Sequence, residues 1–113
     1  MKYILLIYHA EQAWDELSEP ERQEIYAEYR QLNQETVASG HHLASSQLQG
    51  TSTATSVRVR DGKQLLNDGP FAETREQLAG YFLIETNNLD DAIAIAARIP
   101  SARVGTIEVR PLA

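Results

Sequence analysis

The sequence predicts an α+β fold, a ferredoxin-like βαβ-hairpin-βαβ sandwich. Three observations predict it. Residues 2–8 and 80–86 are largely apolar runs without polar/apolar alternation, as strands covered on both faces require. Each run is followed by a segment with helix-capping signals. An Asp-Gly step at 61–62, flanked by short strand-like stretches, inserts a hairpin between the two halves.

Length and composition set the frame. A chain of 113 residues has room for one hydrophobic core and reads as a single domain, 1–113. It contains no cysteine, which excludes disulfides, thiolate zinc sites, iron–sulfur clusters and cysteine nucleophiles. The formal net charge of -6, with no block of Lys and Arg, argues against tracking a phosphate backbone, so no direct nucleic-acid partner is expected. The N-terminal apolar run stops at His9, too short for a signal-peptide core or a membrane span. A cytoplasmic protein without a membrane partner is the expectation.

In the first strand, Ile4 and Leu6 point to one side while Tyr3, Leu5 and Ile7 point to the other. A polar connection holding Trp14 leads to Ser18-Glu19-Pro20-Glu21, a capping-box pattern with proline in the first turn. The helix that starts there carries a stripe of Ile25, Tyr26, Tyr29, Leu32, Asn33, Thr36 and Val37, and Gly40 is placed to end it. Residues 42–48 form a weak strand candidate and residues 50–56 a loop of small residues. Val57-Arg58-Val59-Arg60 and Lys63-Gln64-Leu65-Leu66 flank Asp61-Gly62 as a type I′ hairpin.

Residues 67–74 read as a loop, and Thr74-Arg75-Glu76-Gln77 as a cap for one helical turn. After the strand at 80–86, Asn88 caps a helix from Leu89 to about Ile99, with Asp90 and Asp91 at its positive end and Pro100 as its stop. Ala92, Ile93, Ala96 and Ala97 give it a small-residue face. Thr106-Ile107-Glu108-Val109-Arg110 closes the sheet. Right-handed crossovers put both helices on one face, so the doubly apolar first strand needs cover on the other. An isologous homodimer supplies it.

Candidate chemistry centres on Asp68-Gly69-Pro70-Phe71-Ala72-Glu73-Thr74. One reading is a turn, with Asp68 bonding its own backbone, Gly69 at positive φ, Pro70 fixing the exit and Phe71 anchored in the core. The other presents Asp68 and Glu73 at the rim of a cavity, with Asp68 as a general base. His9 lies at the end of the first strand, where open sheets place functional groups, and reads either as a surface residue or as a catalytic one. Tyr26 and Tyr29 are core tyrosines or, beside a cavity, groups that orient a ligand. His41 and His42 are adjacent, face opposite ways on a strand and cannot chelate one ion, so no metal site is expected. No phosphate loop and no nucleophile elbow occur, and no cofactor is expected.

The stretch Asp68-Gly69-Pro70-Phe71-Ala72-Glu73-Thr74-Arg75-Glu76 closely resembles the DGPFAETKE signature of the DGPF branch of the YCII-related family, with Arg75 where lysine is usual. The resemblance continues through Lys2-Tyr3, Ile7-Tyr8, Thr53-Ala54-Thr55, Asp61-Gly62-Lys63, Gln77-Leu78, Gly80-Tyr81-Phe82-Leu83-Ile84 and Ile107-Glu108-Val109-Arg110-Pro111. It implies a dimeric α+β barrel. In the wider family it implies an enzyme built on a helix histidine paired with an Asp-Pro aspartate, but Tyr29 and Ile99 stand at the corresponding positions here. It also implies a genomic association with extracytoplasmic-function sigma factors.

Two functional readings follow. In the first, a small dimeric domain holds a small organic molecule near the DGPF loop, as its binder or as an enzyme acting on it, with Asp68, Tyr29 and His9 catalytic and Gly69, Pro70, Phe71, Glu73 and Tyr26 contacting the ligand. In the second, the chain is a non-catalytic regulatory or binding module in a sigma-factor system.

Overall fold

The first strand, β1 (Lys2–His9), is the centre of the molecule. Its period-two alternation sends Tyr3, Leu5 and Ile7 into the core, while Ile4, Leu6 and Tyr8 lie half-buried on the opposite face. The computed structural model describes residues 1–113. Its further elements are α1 (Glu11–Asp15), α2 (Glu19–Ala38), β2 (His42–Gln47), β3 (Thr55–Arg60), β4 (Lys63–Asp68), β5 (Gln77–Glu85), α3 (Leu89–Ala97) and β6 (Thr106–Pro111), with 3₁₀ turns at Thr51–Thr53 and Pro100–Arg103.

The fold is α+β. Four antiparallel strands form one sheet in the order β2-β5-β1-β6, and β3 pairs with β4 in a separate two-stranded sheet. Both longer helices cover the same face. Leu32 of α2 and Ala92, Ile95 and Ala96 of α3 are buried in one cluster with Tyr3, Leu5, Ile7, Phe82 and Ile84, and Ile107 and Val109 of β6 pack against it. The other face of the sheet carries no helix.

The caps form as the sequence predicts. Ser18 Oγ accepts from the Glu21 N–H at 3.3 Å and the Glu21 carboxylate accepts from the Ser18 N–H at 3.2 Å, closing the capping box of α2. Asn88 Oδ1 accepts from the Asp91 N–H at 2.9 Å and starts α3. The hairpin turn at Asp61 and Gly62 has φ of 51° and 73°, the left-handed pair that a type I′ turn requires.

Several expectations are corrected. The connection holding Trp14 contains a short helix, α1, because Glu11 at its start anchors to the following turn: its carboxylate accepts from Thr51 N and Thr51 Oγ1, both at 2.7 Å. Residues 74–77 form no helical turn. Gln77 instead opens β5, three residues earlier than the apolar run indicates, and its amide donates to the carbonyls of Ala72 and Thr74.

Three side chains expected inside are outside. Val37 lies exposed at the edge of the α2 stripe although its neighbour Thr36 is buried, Ile93 faces away from the sheet on α3, and Phe71 is 79% exposed, so it is no core anchor. The hairpin is likewise unsupported: Val57, Val59, Leu65 and Leu66 are all exposed. The radius of gyration, 15.9 Å, exceeds the ~13 Å of a compact chain of this length.

Gly105 fixes how β6 meets the end of β1. A Cβ there would lie 2.1 Å from the Tyr8 carbonyl oxygen and 3.1 Å from His9 Cα, both backbone atoms that cannot swing away. Gly105→Ala is therefore expected to cost about 1 to 3 kcal/mol, as overpacking does, and to move the amide resonances of Tyr8 and His9. Urea denaturation and amide NMR spectra check it; an unchanged midpoint would show that the approach is looser than the backbone positions indicate.

Candidate functional site

Because β1 alternates, His9 falls on the same face as Tyr3, Leu5 and Ile7, under α2. A bulge between Ile7 and Tyr8, where the pairing with β5 shifts register, opens the sheet at this point. Helix α1 then folds Trp14 back over the strand end, with ring centroids of His9 and Trp14 5.9 Å apart and Trp14 meeting Tyr26 edge-on at 5.6 Å. Arg22 holds α1 in place. Its guanidinium lies 5.8 Å from the Trp14 ring centroid and donates to the carbonyls of Trp14 and Asp15 at 3.2 and 3.0 Å.

Deeper in, Tyr29 stacks on Phe82 of β5, with centroids 6.3 Å apart. Its hydroxyl is 2.7 Å from Ser101 Oγ, on the 3₁₀ turn that follows α3. Burial pushes the Tyr29 phenol above its ordinary value of 10.0, against the opposing pull of the hydrogen bond from Ser101. On the other side, Ser45 Oγ donates to Asn33 Oδ1 at 3.2 Å, and His42 Nε2 is 2.9 Å from the same Ser45 oxygen. Since the Ser45 proton points to Asn33, His42 Nε2 is the donor in that pair.

These groups enclose a cavity of about 190 Å³ between α2 and the sheet. His9, Trp14, Tyr26, Tyr29 and Phe82 give it aromatic walls, and Asn33, Ser45, Gln47 and Ser101 give it polar ones. No Lys, Arg, Asp or Glu lines it.

The structure thus brings together His9, Tyr26 and Tyr29 of the residues expected from sequence. Asp68 is elsewhere, exposed at the end of β4 opposite Thr55. Gly69 has φ of 98°, and its backbone is held on both sides, by Ala54 O at 2.7 Å and by Ser56 Oγ at 2.8 Å. Pro70 and Glu73 line a different, more polar hollow of about 630 Å³ beside Glu11, Gln12 and Thr51. Phe71 belongs to neither.

Trp14, Asn33, Ser45, Gln47 and Ser101 escape sequence reading as site residues. Asn33 has a detectable signal, since 26, 29 and 33 form one row of an α-helix. Ser101 has none, because its place depends on how the turn after Pro100 packs.

A family model of the YCII-related domain matches residues 1–113. The chain belongs to the YCII-related family. An uncharacterized protein of Rhizobium meliloti (strain 1021) is 34% identical over 115 residues, spanning 100% of this chain and 93% of that protein. At the positions corresponding to the His/Asp pair of the wider YCII-related resemblance, this member has Tyr29 and a wholly buried Ile99. The phenol finds its partner two residues further on, at Ser101.

Tyr29→Phe leaves Ser101 without its hydroxyl partner and is expected to cost about 0.5 to 1.5 kcal/mol. A raised folded-state pKa means that the native protein keeps the Tyr29 proton longer than the unfolded chain does. Stability from this group is therefore complete below about pH 10 and lost as pH rises through the folded pKa. Denaturation midpoints followed from pH 8 to 11 should fall less steeply in Tyr29→Phe than in the parent. Equal slopes would show that the phenol ionises as freely folded as unfolded.

Proposed function

We propose that this YCII-related chain is a homodimeric binding domain for a small organic molecule, with the cavity under α2 as its site and His9, Tyr26 and Tyr29 among the contacting groups. The observation that carries this reading is the aromatic cavity with polar edges, assembled from the ends of β1, α1, α2, β2 and the turn after α3. Its ~190 Å³ is below the ~300 Å³ at which drug-sized pockets begin, which favours a compact ligand. His9 brings the one imidazole of the lining, so an acid–base step here would fall to it.

Pairing with a second copy is supported by the helix-free face, where Ile4, Leu6, Tyr81 and Leu83 are only half-buried. The order β2-β5-β1-β6 supports a ferredoxin-like sandwich, in which two such faces meet as a dimeric barrel. The residues from Asp68 to Glu76 support membership of the DGPF branch.

A second reading, a regulatory module that docks a protein partner such as a sigma factor, is favoured by one feature. Phe71 and the hairpin residues Val57 and Leu66 form exposed apolar surface near the DGPF loop.

Light scattering is expected to give a dimer, and Leu6→Asp, which puts a charge in the centre of the open face, a folded monomer; a parent monomer at micromolar concentration would remove the dimer. Trp14 is the chain's single tryptophan and lines the cavity, so its fluorescence reports occupancy directly. In a metabolite screen, ligands that change Trp14 emission should also raise the melting temperature, by an amount equivalent to about 2.7 kcal/mol at a hundredfold excess over Kd. Asp68→Ala should preserve that response. Its loss in Asp68→Ala would move the site to the DGPF loop.

A further inference from the structure

Building on the cavity reading, we infer that its ligand is a neutral single-ring molecule carrying an acceptor oxygen, such as an aromatic carbonyl compound, rather than a carboxylate, a phosphate ester or an amine. The size of the cavity sets the first limit. A dry cavity of about 150 Å³ is sufficient for benzene, and about 190 Å³ leaves room for one ring and one small polar substituent. The stacked pair Tyr29–Phe82 and the edge-to-face pair Trp14–Tyr26 offer aromatic contact from two sides.

Hydrogen-bond accounting sets the second limit. Tyr29 and Ser101 own two O–H groups and share one hydrogen bond, so one proton is left over at the cavity wall. Asn33 uses its oxygen on Ser45 and leaves its NH₂ group without a protein acceptor. Arg22 Nε is the one side-chain polar atom sealed in the protein without a partner, so the unpaired Asn33 Nδ2 is accessible, and Asn33 lines the cavity beside the Tyr29–Ser101 pair. Donors of this kind call for an acceptor on the ligand.

Charge sets the third. With no Lys or Arg on the lining, a buried carboxylate or phosphate would find no permanent counter-charge, His9 being the one lining side chain able to carry a positive charge, and the chain's net charge of -6 repels an anion further. A cation lacks an Asp or Glu partner and meets donor protons at Asn33 and at the Tyr29–Ser101 pair. The π-face that would best attract it, that of Trp14, already holds the Arg22 guanidinium.

Three probes of nearly the same shape separate the classes: benzamide, benzoate and benzamidinium, which differ in charge. Titrations of the full chain at neutral pH, followed by Trp14 fluorescence and by the amide resonances of residues 79–82, should show benzamide binding at least tenfold more tightly than either ion. Asn33→Leu, checked for an unchanged melting profile, should weaken benzamide about fivefold to tenfold, the worth of one hydrogen bond, and leave toluene binding unchanged. Benzoate or benzamidinium binding in the cavity as tightly as benzamide overturns the neutral-ligand inference and leaves the cavity as a binding site. Failure of all three probes and of toluene to perturb Trp14 overturns both.

Discussion

The alternation of side chains along β1 is the constraint on which the rest of the structure depends. One set of residues, Tyr3, Leu5 and Ile7, is buried against α2 and α3, and Leu5 is completely excluded from solvent. Continued by one step, the same alternation delivers His9 to the cavity wall. A slip of one residue in the pairing with β5 would move the whole set to the helix-free face and take the histidine with it. Core and site are therefore specified by one register, and the bulge at Ile7/Tyr8 is where the strand passes from the first task to the second. Gly105 protects that junction by bringing β6 against Tyr8 and His9 closer than any side chain would allow.

The elements that could be read in the sequence are those whose cause is local. Ser18 with Glu21, Asn88 with Asp91 and Asp61 with Gly62 each form the contact that their spacing announces. The elements that could not be read owe their form to distant partners. Helix α1 is five residues long, too short to hold itself, and exists because Glu11 reaches Thr51 and Arg22 reaches back to Trp14 and Asp15. Val37 satisfies the helical stripe by its number, yet it lies exposed at the stripe's edge beside a buried Thr36. Periodicity gives a residue its face but not how wide a strip of that face has a neighbour.

The same division runs through the site. His9, Tyr26 and Tyr29 are legible because each lies on the inner face of a regular element, where period alone sets the direction of the side chain. Trp14 and Ser101 sit on a short helix and a 3₁₀ turn, whose placement is decided by packing. The cavity's lack of formal charge could be found only once the lining was known, since the acidic residues of the chain are spread along its whole length.

The most specific motif in the sequence lies outside this cavity, and its residues show the physical reason. Gly69 adopts φ of 98° with open space where a Cβ would stand, so the demand at this position is conformational rather than steric. That conformation lets the Gly69 N–H donate to Ala54 O and the Gly69 carbonyl accept from Ser56 Oγ, which carries the β3–β4 pairing one step beyond the Thr55–Asp68 pair. Val57 and Leu66 are register partners in the hairpin and both stand exposed, as does Phe71 just beyond the turn, so the motif shapes the base of the hairpin and contributes nothing to the cavity. The motif and the cavity are thus independent features of the chain, one specified by a backbone turn and the other by the register of β1.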